Sequence, residues 1–362
     1  MKKKILYCLS SLNHGGMEMV VLNYLNHMNL DLFQVDFLIF YGNRGYWDSY
    51  LREKGCKVTY FQSDARSLLA RNREATQYFQ ENHYDIVHIH AMTSLKYRYA
   101  KIAKKAGVPC VIYHSHTSKA TGIFRLLHAL CKKRLDRWCD DKFACSHAAG
   151  QFMYRGEYSL IHNAIDLNKF SFSEQKRLEL RKKHHCEDKF VIGNVSRLVE
   201  SKNHLFLLRI AKVFVERKIY DFLFVICGDG SYRQEIETAI ERENLSSYFL
   251  FLGQVSDSFH YYNMFDAIAF PSKYEGLSMV MVEAQANGCK IIGSDKMSDE
   301  VVLTDDIRLL PIDETEENYK NWAENLSEMR GKLRNDNAEV LKQKGYEIRT
   351  EAKKLEGIYL GV

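Results

Sequence analysis

The sequence predicts an α/β protein made of two successive parallel-sheet domains. Three observations carry that prediction. Short apolar runs alternate with helical periodicity through the first half, and the alternation restarts near Phe190. Between the halves, about 167–188, the chain is polar and rich in Lys and Glu, and reads as a linker with a lead-in helix. The stretch Pro271–Gly288 reads as the loop and helix that follow a strand. Ala267–Phe270 is an apolar run, Pro271 ends it by lacking an N–H, and Leu277, Val280, Met281 and Ala284 recur at helical spacing as far as Gly288.

Bulk properties agree. The chain has 362 residues, enough for two domains with real cores. Its 46% apolar and 27% charged residues are ordinary for a soluble protein, and no apolar run approaches a membrane span. Lys2-Lys3-Lys4 before Ile5-Leu-Tyr-Cys-Leu9 mimics a signal peptide, but the apolar part is short and no small-residue cleavage site follows. Nine scattered cysteines without a C-x-x-C pair argue for reduced thiols in the cytoplasm, not disulfides or zinc. The net charge of +5 is unevenly spread: residues 1–170 hold 24 Lys/Arg against 14 Asp/Glu, and residues 171–362 hold 27 against 32. A basic first half suits an anionic lipid surface or an anionic acceptor, although drifting surface charge explains it equally well. Nucleic acid is not the expected partner.

Taken in order, Ile5–Ser10 is the first strand, followed by Gly15-Gly16 and a helix over Met17–Met28. Glycines there let a ligand approach backbone at a helix start. No G-x-G-x-x-G occurs, which weakens a dehydrogenase reading. Val35–Phe40 and Val58–Phe61 are further strands. Asp85–His90 and Val108–His114 are strands whose ends carry His88, His90, His114 and His116. Ligands bind at such strand ends, and zinc is disfavoured because no cysteine or carboxylate is spaced to complete a set. Gly122–Trp138 mixes Leu126, Leu127 and Leu130 with Arg125, Lys132, Lys133, Arg134 and Arg137. It reads as a helix packed on the sheet with a basic end, or as one pressed against an anionic membrane. Phe143–Ser146 and Ser159–His162 close the half.

In the second half, Phe190–Val195 is a strand and His204–Val215 a helix. Between them Arg197 and Lys202 place two cations beside a helix N-terminus, where a diphosphate gains from both. Phe222–Cys227 is a strand and Gly228-Asp-Gly230 a turn. A helix from Ser231, with Gln234 completing a capping box, comes next. Phe249–Leu252 and Lys290–Gly293 are strands. Beyond Pro311 the chain turns acidic and helical, with a last helix over about Ala338–Tyr359.

The turn after Ala267–Phe270 aims backbone N–H groups of Gly276, Leu277 and Ser278 out of the sheet edge, an anion site by construction. Glu275 and Glu283 frame it. Eight residues of helix correspond to about 80° and ~12 Å, so the two carboxylates suit the two ends of a nucleotide-diphosphate sugar; on these residues alone, a Glu that offsets the helix dipole and a solvated mid-helix Glu are the favoured reading.

Pro-Ser-x-x-Glu-Gly-x-Ser-x-x-x-x-Glu-Ala over 271–284, with Ala144-Cys-Ser-His-Ala-Ala-Gly150 and Gly228-Asp-Gly230, resembles the retaining glycosyltransferases of family 4, in their exopolysaccharide and capsule branch. The likeness covers nearly the whole chain. It implies the GT-B fold, two Rossmann-like domains facing across a cleft: residues 1–166 on the acceptor side, 167–344 on the nucleotide-sugar side, and the C-terminal helix from about 345 packing back on the first. It implies that Arg197 and Lys202 clamp the donor diphosphate, where Ser196 and Asn203 replace the family's two glycines. Glu275 would hold the donor sugar's hydroxyls and Glu283 the ribose. Gly16 and Gly228 would lie against the donor, Val255 at the nucleobase edge, and His116 near the sugar, with His114 two residues away as the alternative. Asn163-Ala-Ile-Asp166 matches an element that precedes the crossing between domains, with Ala164 where Gly is usual.

The expected activity is transfer of a hexose or N-acetylhexosamine, with retention, from a UDP-sugar to a lipid-linked saccharide. No Asp-x-Asp occurs in the chain, so a metal-independent reaction with no cofactor is expected. The expected place is the cytoplasm, peripheral on the inner face of the plasma membrane. Two alternatives remain open: a nucleotide-sugar epimerase or glycosyl phosphorylase on the same fold, and a non-catalytic partner subunit.

Overall fold

The computed structural model describes residues 2–13, 15–42, 44–64, 66–118, 123–255, 257–275 and 277–362, with backbone alone at 123 and 124. Two compact units result. One comprises Met1–Ile165 with Glu347–Val362, the other Asp166–Tyr346.

The first unit is built on seven strands, β1 (Lys3–Leu9), β2 (Phe33–Ile39), β3 (Val58–Tyr60), β4 (Ile86–Ala91), β5 (Cys110–Ser115), β6 (Asp141–Ala144) and β7 (Ser159–Leu160). All pair in parallel, in the order β3-β2-β1-β4-β5-β6-β7. The second unit has β8 (Phe190–Val195), β9 (Phe222–Cys227), β10 (Phe249–Gly253), β11 (Ala267–Phe270), β12 (Lys290–Ser294) and β13 (Ile307–Leu310). These are also parallel, in the order β10-β9-β8-β11-β12-β13. Parallel strands are covered by crossover helices on both faces, so their residues bury on both sides: Ile5–Leu9 and Phe190–Ile192 are almost wholly out of water. Strand order reverses at β1/β4 and at β8/β11. Such switch points open a crevice beyond the strands' carboxyl ends, where ligands of open α/β sheets bind.

Local rules misplace several boundaries. Residues 167–188, expected as a linker with a lead-in helix, hold two helices, Leu167–Phe170 and Glu174–Lys183, and no extended linker separates them from the second unit. Arg177 and Arg181, one turn apart, both ion-pair with Asp266 just before β11, and Arg181 also donates to the Met264 carbonyl at 3.0 Å. The expected single last helix is two, Ala338–Gln343 and Ile348–Gly361. Gly345 at φ +83 ends the first, and the Glu347 side chain caps the second by accepting from the N–H groups of Arg349 and Thr350. The break coincides with the passage from one unit to the other. Helix Ile348–Gly361 then packs on helix Gly16–His27 of the first unit, and Lys3 Nζ caps its C-terminal carbonyls at Tyr359 and Leu360.

The capping box expected at Ser231–Gln234 does not form. The helix starts at Arg233, because Tyr232 N–H is tied to the Leu198 carbonyl. Among the described residues no helix is long and apolar enough to cross a membrane.

Candidate functional site

In the second unit the switch point lies between β8 and β11, and the loops leaving these strands meet. After β8 the chain runs Ser196–Val199 into a short 3-10 turn, Glu200–Lys202. Asn203 then adopts φ 56°, ψ 44°, the left-handed conformation, and helix His204–Glu216 begins. Asn is among the few residues besides Gly that enter this region at modest cost. The left-handed bend is therefore made here without a glycine. Ser196 replaces the other glycine without strain: its Oγ donates to Asn194 Oδ1 at 2.7 Å and meets His204 Nε2 at 3.0 Å.

Lys202 Nζ ion-pairs with Glu275 Oε2 and sits 4.9 Å from the Phe270 ring centre. Lys273 N–H donates to Ser201 O at 2.9 Å, and Lys273 Nζ reaches Glu200 at 3.0 Å. Two loops 73 residues apart in sequence are thus joined at adjacent strand ends. Arg197 is exposed, and no described side chain binds its guanidinium. Its main chain is held from below. Gly228 has φ +146, and a Cβ there would lie 1.9 Å from the Ser196 carbonyl oxygen; one at Gly230 would lie 2.2 Å from the Leu198 carbonyl oxygen. Leu198 N–H donates to Asp229 O at 3.0 Å, and Gly228 N–H to Gly253 O at 2.8 Å. The Gly228-Asp-Gly230 turn is the floor on which the Arg197 loop rests, and Asp229 spends its side chain on Gly230 N–H and Arg233.

The helix expected over Leu277–Asn287 is shorter, Met279–Ala286. Glu275 therefore stands in the loop, and its relation to Glu283 is not the spacing of one continuous helix. Ser278 is the N-cap, with no side-chain cap bond. The N–H groups of Leu277 and Ser278 donate to nothing among the described residues, leaving donors for an anion. Gly276 lies outside the described residues. Glu283, partly exposed, accepts from Tyr262 Oη at 2.6 Å, and burial raises its carboxyl above the usual range. Val255, half-buried, follows β10 by two residues. Burial pushes His204 down to about 4, with Lys202 adding to the effect.

In the first unit, β4 and β5 bring four imidazoles together. His88 and His90 are stacked 4.3 Å apart, His114 and His116 lie 4.2 Å apart, and His90 Nδ1 meets His116 Nε2 at 2.9 Å. His88 Nδ1 is 2.6 Å from Tyr359 Oη of the C-terminal helix. Burial holds all four rings below the ordinary histidine range, His114 at about 3, so they are neutral near pH 7. Of His114 and His116, only His116 is partly exposed. His88, His90 and His114 each bring a ring nitrogen within 4.8 Å of the others. Imidazole lone pairs lie in the ring plane, and His88 is near-parallel to His90 and to His114, 18° in each case, with His90 and His114 tilted by 35°. They do not converge on one ion without turning.

Gly16 opens helix Gly16–His27, and a Cβ placed on it would meet nothing within 4 Å, so its surroundings leave room for a ligand, whereas a Cβ at Gly15 would strike Glu18. A cavity lined by Lys2, Lys4, His83, Asp85 and Pro109 opens at the opposite, amino-terminal strand edge, away from these groups.

The Glycosyltransferase Family 4 model matches residues 14–169, and the Glycosyl transferases group 1 model matches residues 176–343. The chain is 34% identical over 313 residues to the putative glycosyltransferase EpsF of Bacillus subtilis, covering 83% of this chain and 81% of that one. The chain belongs to glycosyltransferase family 4. This glycosyltransferase is also 28% identical over 259 residues, 66% of its length and 64% of the relative's, to the Escherichia coli UDP-Gal:alpha-D-GlcNAc-diphosphoundecaprenol alpha-1,3-galactosyltransferase. Its fold is that of Anabaena HepE, solved in complex with UDP, with a TM-score of 0.83, 20% identity and full coverage of both chains. The glycosyltransferase is thus an enzyme of GT-B type, with two Rossmann-like domains.

Sequence reading missed Tyr262, Phe270 and His204. Tyr262 reaches Glu283 across 21 residues, and no local spacing marks that pairing.

Proposed function

We propose that the enzyme transfers a hexose or N-acetylhexosamine, with retention, from a UDP-sugar to a lipid-linked saccharide in exopolysaccharide or capsule assembly. The observation that carries the donor half is Lys202 held on Glu275 beside the unspent N–H groups of Leu277 and Ser278. The UDP in the HepE structure and the diphosphoundecaprenol acceptor in the E. coli relative's name support the choice of donor and acceptor class. Residues 167–344 take the donor, and residues 1–166 with the helix from about 345 take the acceptor.

Departure of the diphosphate from the anomeric carbon is the hard event. Arg197, Lys202 and the two N–H groups, brought to the diphosphate when the donor binds, stabilise the charge that develops there. They do so without a divalent ion. Lys202 exchanges Glu275 for the β-phosphate, and the freed Glu275 takes sugar hydroxyls. Glu283, with one oxygen committed to Tyr262, offers the other to the ribose. Gly228 supports the Arg197 loop, Val255 meets the base, and neutral His116 offers a hydrogen bond to the sugar or acceptor. The leaving phosphate accepts the acceptor's proton on the same face.

Helix Ile123–Leu135 exposes Leu126 (64%) and Leu130 (65%) beside exposed Arg125, Lys133 and Arg134. That combination suits the surface of an anionic bilayer, and nine cysteines without a disulfide suit its cytoplasmic side. The deciding experiment incubates the enzyme with UDP-sugars and membrane extract, with and without EDTA, and reads the product anomer by NMR. Retention, indifference to EDTA, and a loss of about 2–4 kcal/mol in barrier stabilisation for Arg197→Ala and for Lys202→Ala are expected. Full transfer by both variants, or an inverted product, would sink the mechanism.

A further inference from the structure

A second group of cations lies in the first unit, outside the donor residues. Arg71, on helix Leu68–Glu81, is 3% exposed. Its Nη1 donates to the Phe40 carbonyl just past β2, and its Nε has no partner. Its Cζ is 5.4 Å from the Tyr41 ring centre. Lys96, also buried, sits 5.1 Å from the Phe40 ring centre and donates to Ser10 Oγ at 2.7 Å and the His90 carbonyl at 3.2 Å. Arg98 lies 4.8 Å from the Tyr99 ring centre and its Nη2 donates to Tyr99 Oη at 3.1 Å, but its Nε is buried and unpartnered; Tyr99 stacks on Phe40 at 4.1 Å. Lys96 and Arg98 therefore lie on the Phe40–Tyr99 stack, and Arg71 lies 5.7 Å from the ring centre of Phe61, which borders it, at the carboxyl edge of β1, β2 and β4 where open sheets bind ligands.

Among the described residues none of the three has an ion pair. Glu18 contributes to the field at Lys96, but its Oε1 is taken by Ser11 Oγ at 2.9 Å. Withdrawing cations from water without an anion is costly, and cation–π contacts offset only part of that cost. Two buried guanidinium Nε groups without acceptors mark an unfilled demand for anionic oxygens, which the planar fork of Arg matches in a phosphate. Leu68 and Leu69, in the first turn of the helix that carries Arg71, are exposed at 58% and 74%. A ligand with a phosphate head and an apolar chain satisfies both features.

We propose that Arg71, Lys96 and Arg98 bind the diphosphate of a prenyl-diphosphate-linked acceptor. The identity of that acceptor rests on the function proposed above, whereas the anion site rests on the geometry alone.

The test uses the full chain saturated with UDP, so that the donor residues are occupied. Farnesyl diphosphate, inorganic pyrophosphate and phosphatidylglycerol vesicles are titrated in turn, and binding is read by calorimetry. Farnesyl diphosphate is expected to bind saturably, and Arg98→Gln and Arg71→Gln each to weaken it about tenfold while UDP affinity stays unchanged. Competition by pyrophosphate or by the vesicles supports the site and names the source of the phosphate. Equal affinity in the wild type and in Arg98→Gln, whose partly exposed side chain leaves folding intact, overturns the site. The acceptor reading is tested apart: transfer to a prenyl-diphosphate saccharide that is unaffected by either variant removes this site and leaves that reading standing. Diphosphate binding without any such transfer in the wild type does the reverse.

Discussion

Gly228→Ala puts the floor beneath the Arg197 loop to the test. Two penalties add. The backbone at φ +146 is open to glycine and strained for alanine, at about 1–3 kcal/mol. The new methyl would also stand 1.9 Å from the Ser196 carbonyl oxygen and 2.8 Å from its carbonyl carbon. Restoring van der Waals contact requires the Ser196–Arg197 backbone to withdraw on the order of 1 Å or more. That backbone carries the cation proposed for the diphosphate, and a displacement of about 1 Å costs on the order of 100-fold in rate. Gly331→Ala supplies the control, because Gly331 has φ +69 but nothing within 4 Å of a Cβ. Transfer from the UDP-sugar is measured beside the urea midpoint of each variant. Gly331→Ala is expected to lower stability by about 1–2 kcal/mol and leave transfer near wild type. Gly228→Ala is expected to lower both, with kcat/KM down about 100-fold. A folded Gly228→Ala protein that transfers at the wild-type rate would refute the link between this turn and the Arg197 loop.

Asn203, at φ 56°, should accept Gly with a change of a few tenths of a kcal/mol, whereas Asn203→Val should cost about 1–2 kcal/mol or more and weaken UDP binding by loosening Lys202; chemical denaturation and calorimetry read the two effects. Tyr262→Phe removes the 2.6 Å bond to Glu283, so the Glu283 carboxyl should rise further; the acid limb of the UDP-affinity profile should move to higher pH, and an unmoved limb would argue that Glu283 does not touch the donor. Stability should fall in acid. His114 and His204 titrate near 6.5 when unfolded but at about 3 and about 4 when folded. The folded chain thus binds fewer protons, and the stability they provide is complete above pH 6.5 and declines as pH drops, by about 1.4 kcal/mol per unit for each. His204's share is exhausted near pH 4 and His114's near pH 3. Denaturant midpoints that stay level from pH 7 to pH 5 would contradict their burial as neutral rings.

Most strands were legible as short apolar runs, some closed by a residue that cannot extend them, as Pro271 closes β11; the edge strand β13, Ile307–Leu310, with Arg308 inside it, was not. Helix ends were less legible. The Met279–Ala286 helix starts two residues later than its apolar spacing suggests, and Ser278 supplies no side-chain cap to mark the place. The lead-in helix was legible, but its anchoring was not: Arg177 and Arg181 resemble solvated charge until Asp266, more than 80 residues on, is brought beneath them.

The site divides in the same way. Arg197 and Lys202 stand out in the sequence as two cations beside a helix start, and Glu275 and Glu283 through the motif they share with family 4. Their partnerships do not stand out. Lys202 meets Glu275 because β8 and β11 are neighbours in the sheet, and His88 meets Tyr359 across 271 residues because the chain returns to its first unit. Periodicity and capping act over a few residues, so the sequence by itself determined most of the segments that become strands and which side chains are chemically conspicuous. Strand order, set by the burial of both sheet faces, decided which of those side chains touch.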